Sequence, residues 1–333
     1  MVTLALSAAH DLARRVLLAA GTAAINAEAV ARGLVAAEAD GLASHGLSRL
    51  PAYADQVRAG KVDGSAVPDV RRTAPGTVMV DARDGFAFPA IAAGLAAARP
   101  AAHDAGVVAI GVTNSHHFGA AGYHVEGPAA DGLVALAFGN SPAAIAPWGG
   151  RRSVFGTNPI AFACPRAGHA PLVIDLSLSK VARGKIMLAA QKGQPIPEGW
   201  ALDAGGRPTT NPAAAMAGTM LPIGDAKGYA LILMVEILAA ALTGAHFGFE
   251  ASSFFDAKGP PPRVGQFFVL IDPKRFAGDG FAGRVETLCA TILAEAGTRL
   301  PGDRRLELRA RAAKDGIAVP DALYAELLRR SGD

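Results

Sequence analysis

Three of the eight histidines fall in two short polar stretches, Asp40 to Arg49 (DGLASHGLSR) and Gly111 to Phe118 (GVTNSHHF). Both interrupt Ala-, Leu- and Val-rich surroundings, where packing alone would not select polar groups. Ser44, His45 and Arg49 combine three kinds of chemistry: an imidazole that exchanges a proton near neutral pH, a hydroxyl to orient it, and a guanidinium that grips a carboxylate through two parallel hydrogen bonds. If the backbone stays helical here, His45 and Arg49 sit four apart on one face. The competing reading is a helix C-terminus whose histidine compensates the dipole. His116 and His117 stand at an expected strand-to-helix turn, where adjacent side chains point different ways and at most one faces a site. No metal site is expected, because no Cys or carboxylate stands at ligand spacing and the HH pair lacks the four-residue helical separation of a metalloprotease motif.

Two tight polar turns follow, Gly156-Thr157-Asn158-Pro159 and Gly224-Asp225-Ala226-Lys227-Gly228. The second opens a helix whose amides, with Lys227, could hold a phosphate; ordinary turn chemistry accounts for either turn equally well. Asp175, Ser177 and Lys185 flank the end of another expected strand. Gly278-x-Gly280-x-x-Gly283 matches the dinucleotide fingerprint, but 39 glycines make a chance match easy. The chain after it is mostly helical, with no second parallel strand, so a Rossmann reading is rejected.

The elements that must position these groups are read from periodicity. SAAHDLARRVLLAAG forms a helix closing on Gly21, and NAEAVARGLVAAEAD forms a second opening on Asn26 as N-cap. Pro51 starts a further helix, and a longer one covers Pro89 to Ala105. Between them, Val70 to Asp84 is rich in short β pieces, including TVMVDA. VVAIGVT and LVALAFGN flank a helix that starts after His117, giving a strand, loop, helix, strand unit whose strands end in Asn114-Ser115 and Asn140-Ser141. Ligands collect at such carboxyl ends. Strands around IAFAC and PLVIDLS, a helix from Lys180 to Ala190, a Gly/Pro-rich excursion ending at Asn211-Pro212, an apolar helix to Leu242, strand GQFFVLIDP and two final helices complete the chain.

Composition narrows the function classes. Hydrophobic residues at 51% and charged residues at 18% over 333 residues fit a compact enzyme with extensive internal or subunit contacts, in one large α/β domain with attachments or in two. A net charge of +3 comes from dispersed Arg and Lys without an aromatic-spaced basic stripe, which favours a small anionic molecule over nucleic acid. Cys164 and Cys289 lie far apart in apolar contexts, as buried free thiols of a reducing compartment. The N-terminus has no export-signal pattern, and the run Gly228 to Leu242 is too short to span a bilayer and carries Glu236, so a cytoplasmic protein is expected.

The segments DGLASHGLSR, NSHHFGAAGY, FGTNPIAF, PEGWALDAGGRPTTNP and AKGYAL, in this order, resemble the type 2 malate/L-lactate dehydrogenase family, whose activities include sulfolactate and ureidoglycolate dehydrogenases and Δ1-piperideine-2-carboxylate reductases. The resemblance implies an α/β fold with a non-Rossmann NAD(P)-binding mixed sheet, an N-terminal helical region (1–67), a cofactor-binding domain (68–285) with an inserted arm near 191–215, and C-terminal helices (286–333) returning to the N-terminal region. It implies NAD or NADP as cofactor, a homodimer, and hydride transfer to or from a small 2-oxo or 2-hydroxy acid. A cyclic ketimine substrate, Δ1-piperideine-2-carboxylate or Δ1-pyrroline-2-carboxylate, is the alternative. Carried over by position, Ser44 and His45 become the catalytic pair, with His117 as a second acid/base candidate, Lys185 a further catalytic position, Arg49 the carboxylate anchor and Thr157 a substrate contact. Cofactor contacts fall on His116, His117, Phe118, Gly119, Ala120, Asp175, Leu176, Ser177, Lys227, Gly228, Gly302, Asp303, Arg304 and Arg305. The family's Gly-Gly ahead of the lysine is Gly224-Asp225 here, and Lys185 replaces the aspartate of the piperideine reductases.

Overall fold

The computed structural model describes residues 1–332; Asp333, the last residue of the C-terminal range above, and the side chain of Gln191 lie outside it. In chain order the elements are β1 (Val2–Leu4), α1 (Leu6–Ala19), α2 (Ala24–Ala39), α3 (Leu50–Arg58), β2 (Asp69–Ala74), β3 (Thr77–Asp81), α4 (Ala87–Ala105), β4 (Val107–Ser115), α5 (Ala121–Ala130), β5 (Val134–Gly139), β6 (Ile160–Arg166) and β7 (His169–Leu176). Then come α6 (Arg183–Gln191), β8 (Ala201–Leu202), α7 (Pro212–Ala217), β9 (Thr219–Met220), α8 (Asp225–Glu236), β10 (Val264–Ile271), α9 (Lys274–Ala277), α10 (Phe281–Leu293), α11 (Asp303–Asp315), β11 (Ile317–Val319) and α12 (Asp321–Ser331).

The central sheet is mixed, in the order β2-β3-β4-β10-β5-β6-β7, with only β3 and β4 parallel. One face carries α4 and α5 over Val80, Ile110, Val112, Ala137 and Phe268. The other carries α8 and the π-helical turn Ile237–Ala241 over Leu136, Phe138 and Phe267. Alternate residues of β5 and β10 thus enter different cores, as the period of a strand requires. Each fully buried aliphatic or aromatic side chain contributes roughly 1.5–3 kcal/mol. A third core joins α1, α2, α3 and α12, with β1 paired to β11 across the chain termini. Helix α10 packs on β6, whereas α11 and α12 meet the N-terminal helices.

Several expectations change. Asn26 is not an N-cap: α2 begins two residues earlier, and the buried Asn26 amide donates to the carbonyls of Gly64 and Ala66 at 2.9 and 3.0 Å. A polar side chain this deep serves a loop with no ladder of its own. The strand, loop, helix, strand unit exists in sequence, but β10 inserts antiparallel between β4 and β5, so the two strands are not neighbours. Four helices, not two, follow the GQFFVLIDP strand, the short α9 and the longer α10, α11 and α12, the last two separated by β11. The Gly278–Gly283 motif falls at an exposed junction between α9 and α10, away from any parallel strand pair.

Candidate active site

The stretch after α2 does not stay helical. Two 3-10 turns, Ala43–His45 and Leu47–Arg49, are broken at Gly46, whose backbone lies at φ −99° and ψ −140°. A Cβ at Gly46 would strike the Glu38 carboxylate, which accepts the Leu47 N–H at 2.8 Å. His45 and Arg49 are therefore brought together by a kink and not by helical spacing. The Arg49 Nε–H donates to the Ser44 carbonyl at 2.7 Å, and Ser44 Oγ lies 3.0 Å from His45 Nδ1. Among the described residues these bonds leave the terminal nitrogens of Arg49 and the Nε2 of His45 without hydrogen-bond partners.

The second polar stretch meets the first from the end of β4. His117 stacks on His45, with ring centroids 5.5 Å apart and planes 26° from parallel. Its Nδ1 lies 2.6 Å from the hydroxyl of Tyr53, which is fully buried on α3 one turn beyond Arg49. His116 turns the other way, into a shell of Tyr53, Phe86 and Phe254, where both its ring nitrogens are buried without partners. Phe254 also covers His117 at 5.1 Å, and the ring of Phe255 lies 4.8 Å from the Arg49 guanidinium carbon.

The loop carrying these phenylalanines is fastened from below. Lys61, 1% exposed, donates to the carbonyls of Ser253, Asp256 and Lys258 at 2.6, 3.1 and 2.7 Å, and Gln56 donates to those of Phe254 and Asp256. Neither residue stands out in sequence; a lysine three residues past a helix end resembles any solvated charge.

Burial and the Arg49 charge push the pKa of His45 down to about 4, and burial takes His116 down to about 3. Burial, Arg49 and His45 hold His117 well below the usual imidazole range. All three are neutral at pH 7.

A third set of groups closes the far side. Asn140, just after β5, donates to Glu236 at 3.0 Å and accepts the Gly265 N–H at 2.9 Å. Glu236, buried at the end of α8, also accepts from Asn158 at 2.7 Å and Gly248 N–H at 2.7 Å. Burial nonetheless pushes its pKa up. The carboxylate fixes the turn that presents Thr157, whose N–H donates to Ser141 Oγ at 3.1 Å and whose carbonyl receives the Leu178 N–H and, at 3.5 Å, the Ser177 hydroxyl. Gln266 ties this set to the histidines by donating to the His116 carbonyl at 3.1 Å. The carboxyl ends of β4 and β5 and the start of β10 thus form one rim.

Several of the remaining expected cofactor positions lie at or near α5. Phe118 is buried, with its carbonyl taking a hydrogen bond from His124 Nε2 at 2.7 Å. Gly119 has φ +70°, and a Cβ there would approach the Phe88 ring to 2.8 Å, so this turn requires glycine. Ala120 precedes α5, which has no side-chain cap; the Gly122 N–H in its first turn donates to Asp175 at 2.7 Å. Arg305 on α11 reaches the same point, lying 3.6 Å from Asp40 and 3.6 Å from Glu126 in ion pairs that Arg309 shares. Asp175 already occupies one amide of that first turn; the amides it leaves and the Arg305 guanidinium are the groups here that a phosphate could take. Leu176 is exposed at the end of β7, Gly302 opens α11 at φ +92°, Asp303 accepts the Leu300 N–H at 2.8 Å, and Arg304 is exposed.

Three expected positions stand apart. Lys185 is exposed on α6 and makes no hydrogen bond or ion pair to Ser44 or His45. Lys227 is exposed in the first turn of α8, and Gly228 is buried against the Ile223 carbonyl, where no Cβ fits. Among the described residues, no group of three or more His, Cys, Asp or Glu is placed to hold a metal ion, and no helix is long and apolar enough to cross a membrane.

Similarity to known proteins gives the family of the chain. The chain is 55% identical over 324 residues to a (2R)-3-sulfolactate dehydrogenase (NADP(+)) of Chromohalobacter salexigens, covering 97% of this chain and 96% of that one. It is 45% identical over 303 residues, 88% of each, to a Δ1-pyrroline-2-carboxylate/Δ1-piperideine-2-carboxylate reductase of Pseudomonas putida. The solved Δ1-piperideine-2-carboxylate reductase of Pseudomonas syringae superposes with a TM-score of 0.94 at 41% identity, over 99% of this chain and 100% of that one. The sulfolactate dehydrogenase of Methanocaldococcus jannaschii superposes at 0.92 and 29%, over 99% and 97%. With the malate/L-lactate dehydrogenase sequence profile matching residues 4–328, the chain belongs to that family of oxidoreductases.

Proposed function

We propose that this protein is an NADP-linked dehydrogenase of a small 2-hydroxy acid of the sulfolactate type, with Arg49 as carboxylate anchor and His45 as proton-transfer group. The observation that carries the reading is the kink at Gly46, which sets the free end of the Arg49 fork beside a serine-bound histidine. The 55% identity to an NADP-dependent sulfolactate dehydrogenase supports the choice of substrate and cofactor. Arg305, the start of α5, and the segments Phe118–Ala120 and Asp175–Ser177 would hold the dinucleotide, which supplies a hydride to C2 in the reducing direction.

The chain's own residues do the rest. Arg49 takes the substrate carboxylate with its two terminal nitrogens, while its Nε–H stays on Ser44 and prevents the fork from turning. The arriving carboxylate offsets the Arg49 charge, one of the two causes that depress the His45 pKa, and so favours a proton on His45 when it is needed. His45 gives that proton to the developing alkoxide, with Ser44 holding the ring. Phe254 and Phe255 exclude water from the anchor.

The second reading, reduction of a cyclic ketimine, is favoured by the 0.94 superposition on a piperideine-carboxylate reductase. Oxidation of NADPH and NADH with sulfopyruvate, pyruvate, oxaloacetate and Δ1-piperideine-2-carboxylate separates the two: preference for the oxo acids in kcat/KM supports the first, and preference for the imine replaces it with the second. A homodimer is part of the proposal, supported by the apolar side chains Leu231, Leu233, Met234 and Ile237 exposed on and just after α8 and Met187 and Leu188 on α6. Two buried free thiols, Cys164 raised to about 11 by burial, support a cytoplasmic setting.

A further inference from the structure

The neutral histidine pair poses a question that the proposed reaction leaves open: which ring donates a hydrogen bond and which moves a proton. Tyr53 answers it. Its hydroxyl is fully buried and, among the described residues, has one partner, His117 Nδ1, at 2.6 Å. Were Nδ1 to carry a proton and donate to the phenol oxygen, the phenol O–H would be left buried with no acceptor, the costly case for a buried donor. The arrangement that satisfies both atoms has the phenol donating to a bare Nδ1, so the single proton of a neutral His117 resides on Nε2.

We propose that Tyr53 is a positioning residue that locks His117 in the Nε2–H tautomer, making His117 a fixed neutral hydrogen-bond donor to the heteroatom on substrate C2 and leaving proton transfer to His45. The inference rests on the functional reading above for its substrate, but the tautomer does not. Burial keeps Tyr53 a phenol, its pKa well above the ordinary tyrosine value, and keeps His117 uncharged. Among the described residues His117 Nε2 has no hydrogen-bond partner, and His117 is 8% exposed against 1% for His116, both of whose nitrogens are buried. The stack of His45 on His117 reinforces the division of labour: two imidazolium rings with centroids 5.5 Å apart would repel, so one proton serves the pair. His45 is the ring with the solvent-facing hydroxyl partner, and Ser44 can either donate to or accept from it as the proton leaves and returns.

The test uses protein labelled with 15N at histidine. Long-range proton–nitrogen spectra of the free enzyme should show His117, assigned through His117→Gln, as the pure Nε2–H tautomer between pH 6 and 9. In Tyr53→Phe, which keeps the ring and its contacts with Phe86 and His116, the tautomers should mix. Its kcat for the preferred 2-oxo acid should fall about tenfold, the loss of one well-placed hydrogen bond, with the cofactor KM within about twofold of wild type. An Nδ1–H tautomer in the wild-type spectrum overturns the proposal, even if Tyr53→Phe does not fold. So does a folded Tyr53→Phe enzyme with wild-type kcat. Because the spectrum needs no substrate, a mistaken functional reading shows itself separately, as no turnover of any oxo or imino acid in the panel.

Discussion

Replacing Arg49 with lysine isolates the geometry of the anchor from its charge. Arg49 uses Nε to hold the Ser44 carbonyl at 2.7 Å and lies under Phe255, so its two terminal nitrogens are presented as a preformed fork. Lysine keeps the positive charge but is a single point with no second arm: it can meet the substrate carboxylate or the Ser44 carbonyl, not both. The loss is one charge-assisted hydrogen bond to substrate, about 1.5–3 kcal/mol, or about 10- to 150-fold in kcat/KM. Most of it should fall on KM, since the carboxylate is bound equally in the ground state and the transition state. The assay is initial-rate NADPH oxidation over a range of the preferred oxo acid, with cofactor affinity measured separately by nicotinamide fluorescence. Cofactor affinity should hold within about twofold, because the expected diphosphate site at α5 and Arg305 is built from other elements. A substrate KM within about twofold of wild type would remove Arg49 from the site, and an equal loss of cofactor affinity would mean that the segment had merely been disordered.

Three further outcomes are expected. His45→Ala should lower kcat about 10²- to 10⁴-fold with cofactor binding intact, and the kcat/KM profile for hydroxy-acid oxidation should show an acid limb near pH 4 in wild type, since neutral His45 must act as base; a limb at pH 6.5 would refute that. Buried neutral histidines also bear on stability. The folded pKa values of His45, His116 and His124, about 4, 3 and 4, lie below the unfolded value, so their contribution is fully present above about pH 6.5 and is lost as pH falls toward 4. His116→Phe, which gives up no hydrogen bond of the His116 ring, should flatten that decline in Tm; an unchanged slope would count against it. Lys61→Met should cost about 3 kcal/mol in urea denaturation, because the Ser253 and Lys258 carbonyls lose their donor while that of Asp256 keeps only Gln56, and a loss under about 1 kcal/mol would show that the loop holds itself.

What the sequence determined by itself was mostly local. Ser44 and His45 touch because they are neighbours, and Arg49 reaches back five residues within a short turn, so the grouping of these three side chains was legible as a pattern even though the helical spacing first drawn for them is a kink at Gly46. Strand positions and the polar ends of β4 and β5 were legible from alternation and from the turn residues that stop them. Tertiary structure alone decided which distant segments meet at that rim. Tyr53 finds His117 across 64 positions, and Lys61 and Gln56 find the phenylalanine loop across 192 to 200. Glu236, which in sequence argued only against a membrane span, became the buried acceptor for Asn140, Asn158 and Gly248. The physical reason is that β10 inserts between β4 and β5. Nothing in a strand's own alternation says which edges it will fill, and that choice places the start of β10, with Gln266, between the histidines and the Glu236 cluster.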